Sequence, residues 1–261
     1  MGEERSSARA RYDACTTRGM ARLSETIGRA AGWIVGPLFA ATTAMRRART
    51  FHPHGAVLRA RVEPEVVTGP LADAAERLRG PALVRLSGAL FRNDHRVLPD
   101  VLGCAIRFRS SPAISPLPAM GDQDLLLATI KRPFTMFVAP LTTHVHDYLA
   151  NHYFGTSPFD VPGYGKAYLR LRPEPVLARF PRRTERLLAA VWRGEAVMHL
   201  EVGRGPRGPW QPLVAIRLEG AANVDDRALR FAPHRTGRGI RPRGLVHALR
   251  RGVYAASQSA R

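Results

Sequence analysis

From residue 55 onward the chain is cut into short pieces. Stretches at 55–62, 81–87, 101–108, 124–130, 167–171, 196–202, 213–218 and 229–231 are apolar or alternate apolar with polar, and Pro, Gly, Asn or Asp bounds each of them. That punctuation is the pattern of antiparallel strands joined by turns. Eight strands and few long helical periods favour a sheet closed on itself, because closure removes the unpaired edges. Helical spacing interrupts at 71–78, 143–151 and 184–192, and again at 24–48, where Gly36-Pro37 breaks it. Leu245, Leu249 and Val253 recur at helical spacing near the end of the chain. The expected fold is α+β: a closed eight-stranded antiparallel barrel with helices at the N-terminus, in crossover connections and at the C-terminus. Residues 1–48 read as a basic arm with helices, and 49–261 as the barrel with its terminal helix.

The formal net charge of +19 points first to polyanions. Lys131 and Lys166 are the only lysines, however, so the charge is an arginine bias spread along the whole chain. A nucleic-acid surface needs clustering with aromatic or base-reading residues, and no stretch supplies it. Residues 30–45 are uncharged, but sixteen positions interrupted by Gly and Pro are too few to span a bilayer. They suit peripheral contact with a membrane surface. Two cysteines, Cys15 and Cys104, make no disulfide framework or metal motif. The expected location is the cytoplasm.

The terminal helix carries the chemistry. Arg250 and Tyr254 are four apart and share a helix face. A guanidinium beside a phenol favours the phenolate, which is a hard oxygen ligand for ferric iron. Other segments join it: Arg49-Thr-Phe-His52-Pro-His54-Gly55, Val84-Arg85-Leu86-Ser87, Asp100-Val-Leu-Gly103-Cys-Ala-Ile-Arg-Phe108, Asp124-Leu-Leu, and Gly239-Ile240-Arg241-Pro242 before the helix.

In that order, over roughly residues 46–261, the chain resembles the haem catalases. The resemblance implies haem b with Tyr254 as the iron ligand and Arg250 holding it as phenolate. It implies His52 as the distal general base, with Ser87 hydrogen-bonding its imidazole. Arg49, Arg85 and Arg261 fall where the family binds haem propionates. The partners implied are a peroxide and a small organic electron donor. The chain departs from the family after the Asp-Leu pair. Where the catalases carry an asparagine that orients peroxide, this chain has Ala128, with Thr129 as the polar neighbour. Losing the amide favours peroxidase turnover, with hydrogen peroxide or organic hydroperoxides, over fast disproportionation. Segments that build the family's tetramer are missing from this sequence, so the expectation is a monomer or a homodimer.

Two other readings compete. His144, His146 and Asp147 sit together on an expected helix and could serve a metal-dependent phosphodiesterase, given further ligands such as His95 or His152. The charge and residues 30–45 would suit a non-enzymatic protein bound to nucleic acid or membrane. Gly203-Arg-Gly205-Pro-Arg-Gly208 has the letters of a dinucleotide loop, but Pro209 and another strand follow where a helix should begin, so it reads as a hairpin turn. Trp33, Trp192 and Trp210 are expected to pack in the core or at the cofactor edge.

Overall fold

The computed structural model describes residues 55–89, 99–132, 135, 138–177, 180–226 and 228–243. Among these residues ten strands form one sheet: β1 (Gly55–Pro64), β2 (Gly80–Gly88), β3 (Leu102–Phe108), β4 (Gln123–Ala128), β5 (Tyr153–Phe154), β6 (Phe159–Val161), β7 (Gly165–Pro173), β8 (Val197–Gly203), β9 (Trp210–Ala221) and β10 (Arg241–Pro242). The order β7-β5-β4-β3-β2-β1-β9-β8 returns to β7 through a β7–β8 pairing, and every neighbour is antiparallel. The result is a closed eight-stranded barrel, with β6 and β10 added beyond β7.

Alternation decides what faces inward. On β1, Leu58, Ala60 and Val62 are buried while Arg59 and Arg61 are exposed. On β7, Ala167, Leu169 and Leu171 point in while Tyr168, Arg170 and Arg172 lie on the outer side. These residues join Val84, Leu86, Cys104, Ile106, Phe108, Leu200 and Ile216 in one core. Tyr153 is fully buried and donates its hydroxyl to the Tyr148 carbonyl at 2.7 Å, which meets its need for a partner. Burial pushes the Cys104 thiol up, so it behaves as a small apolar side chain. At Leu200/Glu201 the β8–β9 register shifts, and Pro212, which has no N–H to donate, sits opposite Glu201 at that irregularity.

Three helices are described: α1 (Ala72–Leu78), α2 (Ala139–Thr142) and α3 (Arg183–Trp192). Ala74, Ala75 and Leu78 of α1 and Leu187 and Ala190 of α3 belong to the barrel core. No described helix is long and apolar enough to cross a membrane.

Seven of the eight expected strands are present. The exception is 229–231, which runs without strand pairing across the outer face of the barrel. Its apolar residues, Leu229 and Phe231, are buried on Leu83 rather than against a neighbouring strand. The expected helix at 143–151 is a run of turns, with α2 ending at Thr142. Asn151 makes those turns by accepting from the His144 N–H and donating to the carbonyls of His144 and Asp147. Three short strands, β5, β6 and β10, were below the length that alternation can reveal. The helices expected at 24–48 and at the C-terminus lie outside the described residues.

Candidate functional site

Strands β1 to β4 carry a strip of small residues on their outer face. Gly55 is the Cα partner of Ser87, Ser87 of Gly103, and Gly103 of Ala128, whose other neighbour is Phe154 on β5. The adjacent row on the same face reads Val57, Arg85, Ala105 and Leu126. Three strand spacings make this strip about 14 Å across. Glycine and alanine put no large side chain on this face, where Gly55 is exposed, Ala128 partly buried and Ser87 and Gly103 buried, so a flat group could approach the backbone closely. At the β1 end the fit between strands is tight: a Cβ on Gly55 would stand 2.5 Å from the Leu86 carbonyl oxygen and 2.9 Å from Ser87 Cβ.

Arg85 is the cation of this surface. Its side chain is buried, and Nε and Nη2 donate to the two carboxylate oxygens of Asp226 at 2.8 and 3.1 Å. Asp226 comes from the loop after β9, where Ala222, Val224, Leu229 and Phe231 cover Val57, Leu83, Ala105 and Leu126. Asp226 is a polar member of the site that the sequence reading missed. No motif marks it; only the β1–β9 pairing and the return of 222–231 over the sheet bring it to Arg85.

A buried ion pair fastens that cover. Arg107 donates to both oxygens of Asp124 at 2.9 and 3.2 Å, with both side chains inaccessible to solvent. Asp124 also accepts from the Ala232 N–H at 2.8 Å and from Arg235, and Arg107 reaches the Arg230 carbonyl and stacks 5.0 Å over the Phe231 ring. Gln123 donates to the carbonyls of Arg235 and Ile240. Asp124, read from the sequence as part of a motif, is thus the anchor of the segment 229–240. Beyond it, Arg241–Pro242 pairs with β6.

At the end of β4 the hydroxyl of Thr129 accepts from the Leu102 N–H at 3.1 Å. Its contact with Thr143 Oγ1 is 2.8 Å, and Thr143 itself donates to the Ala139 carbonyl. The Thr129 proton is therefore directed at Thr143. Ala128 is partly buried beside Ala89, Val101 and Ala139.

Of the expected site residues, Ser87, Arg85 and Thr129 lie on or beside this strip. His52, Arg49, Arg250, Tyr254 and Arg261 lie outside the described residues, as does His95.

The competing group does not converge. His144 and His146 are exposed in turns, and Asp147 caps its own loop by accepting from the Leu149 N–H. Among the described residues no three His, Cys, Asp or Glu side chains are placed to hold a metal. His152 stands edge-on to Phe154 at 6.4 Å. Desolvation and the neighbouring Arg170 hold its imidazole below the usual range. The glycine-rich run at 203–208 is the β8–β9 hairpin turn, as its prolines require. Trp192, expected in the core or at the cofactor edge, is 88% exposed on α3, whereas Trp210 is stacked under Arg170 at 4.7 Å.

No protein-family model and no curated protein sequence matches the chain. Among solved structures, a fungal catalase is similar with a TM-score of 0.58 at 12% identity, over 85% of this chain and 61% of that one. Catalase A from Saccharomyces cerevisiae is similar with a TM-score of 0.57 at 13% identity, over 85% of this chain and 63% of that one. The chain thus spans about three fifths of the length of these catalases. What the likeness shows is the fold, a catalase-like antiparallel barrel.

Proposed function

We propose that this protein is a haem-dependent, peroxidase-type oxidoreductase acting on hydrogen peroxide or organic hydroperoxides, with a small organic molecule as electron donor. One observation carries the reading. The strip Gly55-Ser87-Gly103-Ala128 lies on the face of a catalase-like barrel, and three peptide links separate Gly55 from His52.

The described residues fit a planar, anionic cofactor. The strip offers backbone in place of side chains, Val57, Ala105 and Leu126 border it from partly under the 222–231 segment, and Arg85, paired with Asp226, is a guanidinium of the kind that a propionate pairs with. Tyr254 and Arg250 supply the donor chemistry for ferric iron, and Arg49 and Arg261 two further guanidinium groups. Haem, when bound, supplies the redox centre.

The protein's own part is proton handling and orientation. His52 takes the proton of the incoming peroxide and returns it to the departing oxygen, and Ser87 Oγ fixes the imidazole tautomer that can do so. Ala128 has no amide to hold the peroxide, and the Thr129 hydroxyl gives its proton to Thr143. Among the described residues, the end of β4 therefore offers no orienting donor. That favours a donor-limited peroxidase over rapid disproportionation of peroxide.

The test is an absorption spectrum of protein reconstituted with haemin, alongside Tyr254→Phe and His52→Ala. The wild type should give a Soret band of high-spin ferric haem, and Tyr254→Phe should lose or shift it. His52→Ala should keep the band and react with peroxide roughly 10²–10⁴-fold more slowly. A colourless wild type, or a band indifferent to Tyr254→Phe, overturns the proposal.

A further inference from the structure

Arg85 is nearly inaccessible, yet its guanidinium already has a bidentate carboxylate, that of Asp226, while the Asp226 side chain is 37% exposed. A buried guanidinium that loses its counter-charge is strongly destabilising, so exchange of the Asp226 carboxylate for another is favoured over its simple loss. Asp226 is well suited to be a temporary one. It follows β9 beside Ala222 and Val224, which are only partly buried, whereas Arg107 on β3 and Asp124 on β4 are fully buried and hold the segment further along, at Arg230, Ala232 and Arg235. The pair also borders the small-residue strip: Arg85 is one row from Ser87 and directly opposite Ala105.

From this geometry, and resting on the cofactor reading above, we propose that Asp226 is an exchangeable internal carboxylate that holds Arg85 before loading and yields it to a carboxylate of the incoming cofactor. The exchange conserves the pair's charge at Arg85 and moves the Asp226 carboxylate toward solvent. A ligand that carries a carboxylate at its rim then competes with Asp226, and one without it does not. Asp226 is a positioning residue in this scheme and touches no reacting atom.

The experiment titrates full-length wild type, Asp226→Asn and Asp226→Glu with haemin and with haemin dimethyl ester. Soret absorbance gives the affinity, and thermal unfolding is followed with and without haemin. Asp226→Asn should bind haemin about tenfold more tightly or better, a change of about 1.4 kcal/mol. Its midpoint should be lower than wild type without haemin and recover with it. The dimethyl ester should bind wild type and Asp226→Asn alike, and Asp226→Glu should resemble wild type. Haemin that binds wild type but gains nothing from Asp226→Asn overturns the exchange and leaves the cofactor reading standing. Equal gains for haemin and its ester likewise overturn it, since the effect would then be loop loosening. No Soret band in any of the proteins overturns both.

Discussion

Ser87 and Gly55 face each other across the β1–β2 ladder so closely that a methyl group on Gly55 would stand 2.9 Å from Ser87 Cβ. The nearer obstacle is backbone, the Leu86 carbonyl oxygen at 2.5 Å, which cannot rotate away. Gly55→Ala should therefore spread β1 from β2, at a cost of about 1–3 kcal/mol typical of overpacking. Urea unfolding checks this. A loss below about 0.5 kcal/mol would mean that the strand entry is looser than its register implies.

Arg107 and Asp124 should be the costliest pair in the barrel to break. Asp124→Asn leaves a fully buried guanidinium facing a neutral amide, and removal of one partner of such a pair costs about 3–5 kcal/mol. The same change weakens the acceptor for the Ala232 N–H, so the segment 229–236 should loosen first. Hydrogen exchange should show Ala232 losing protection before the barrel amides do. The double replacement Arg107→Met, Asp124→Leu should cost much less than either single one; if it costs their sum, the pair is worth more than its desolvation.

Strands β1, β7 and β9 were legible because one face of each is dry and the other wetter. β1 and β7 alternate cleanly for that reason. β2 is buried on both faces, yet Gly and Pro at its start still bound it. What could not be read is whatever depends on one segment lying over another. Leu229 and Phe231 have strand-like composition, but they bury themselves on the outer side of Leu83, and a period of two says nothing about that. The strip of small residues was also hidden, since Gly55, Ser87, Gly103 and Ala128 are scattered in sequence and meet only through register. Within it, Ser87 and Arg85 could be named from a motif. Asp226 could not, because its role comes from a loop returning across four strands.

Asp122 sets an acid limit on stability. Desolvation would raise its carboxyl, but the N–H groups of Ala119 and Ser110, the Ser110 hydroxyl and the charge of Arg109 outweigh it and hold the group below the ordinary carboxylate range. A depressed folded value contributes stability above the unfolded value, roughly pH 3.9, and that contribution fades as pH falls through the folded value. Asp122→Asn should therefore be less stable than wild type at pH 7, and the gap should begin to narrow below about pH 3.9 and close only as pH falls through the lower folded value. Thermal midpoints from pH 7 to pH 2.5 check the sign. A gap that persists at the acid end would assign the loss to the altered turn rather than to the carboxylate.

Ala128 offers a gain of function. Its Cα lies opposite Gly103, where there is no side chain to oppose a larger one, and its own side chain is partly buried beside Ala89, Val101 and Ala139. Ala128→Asn would place an amide donor on the strip, in the row of Ser87. A neutral hydrogen bond worth about 1 kcal/mol to the reacting peroxide corresponds to roughly a fivefold rate. The haemin-loaded variant should evolve oxygen from hydrogen peroxide about that much faster than wild type while turnover of an organic donor rises little. Ala128→Val, which fills similar space without a donor, should not reproduce the effect. If both substitutions change oxygen evolution equally, shape rather than hydrogen bonding at this position governs the pocket.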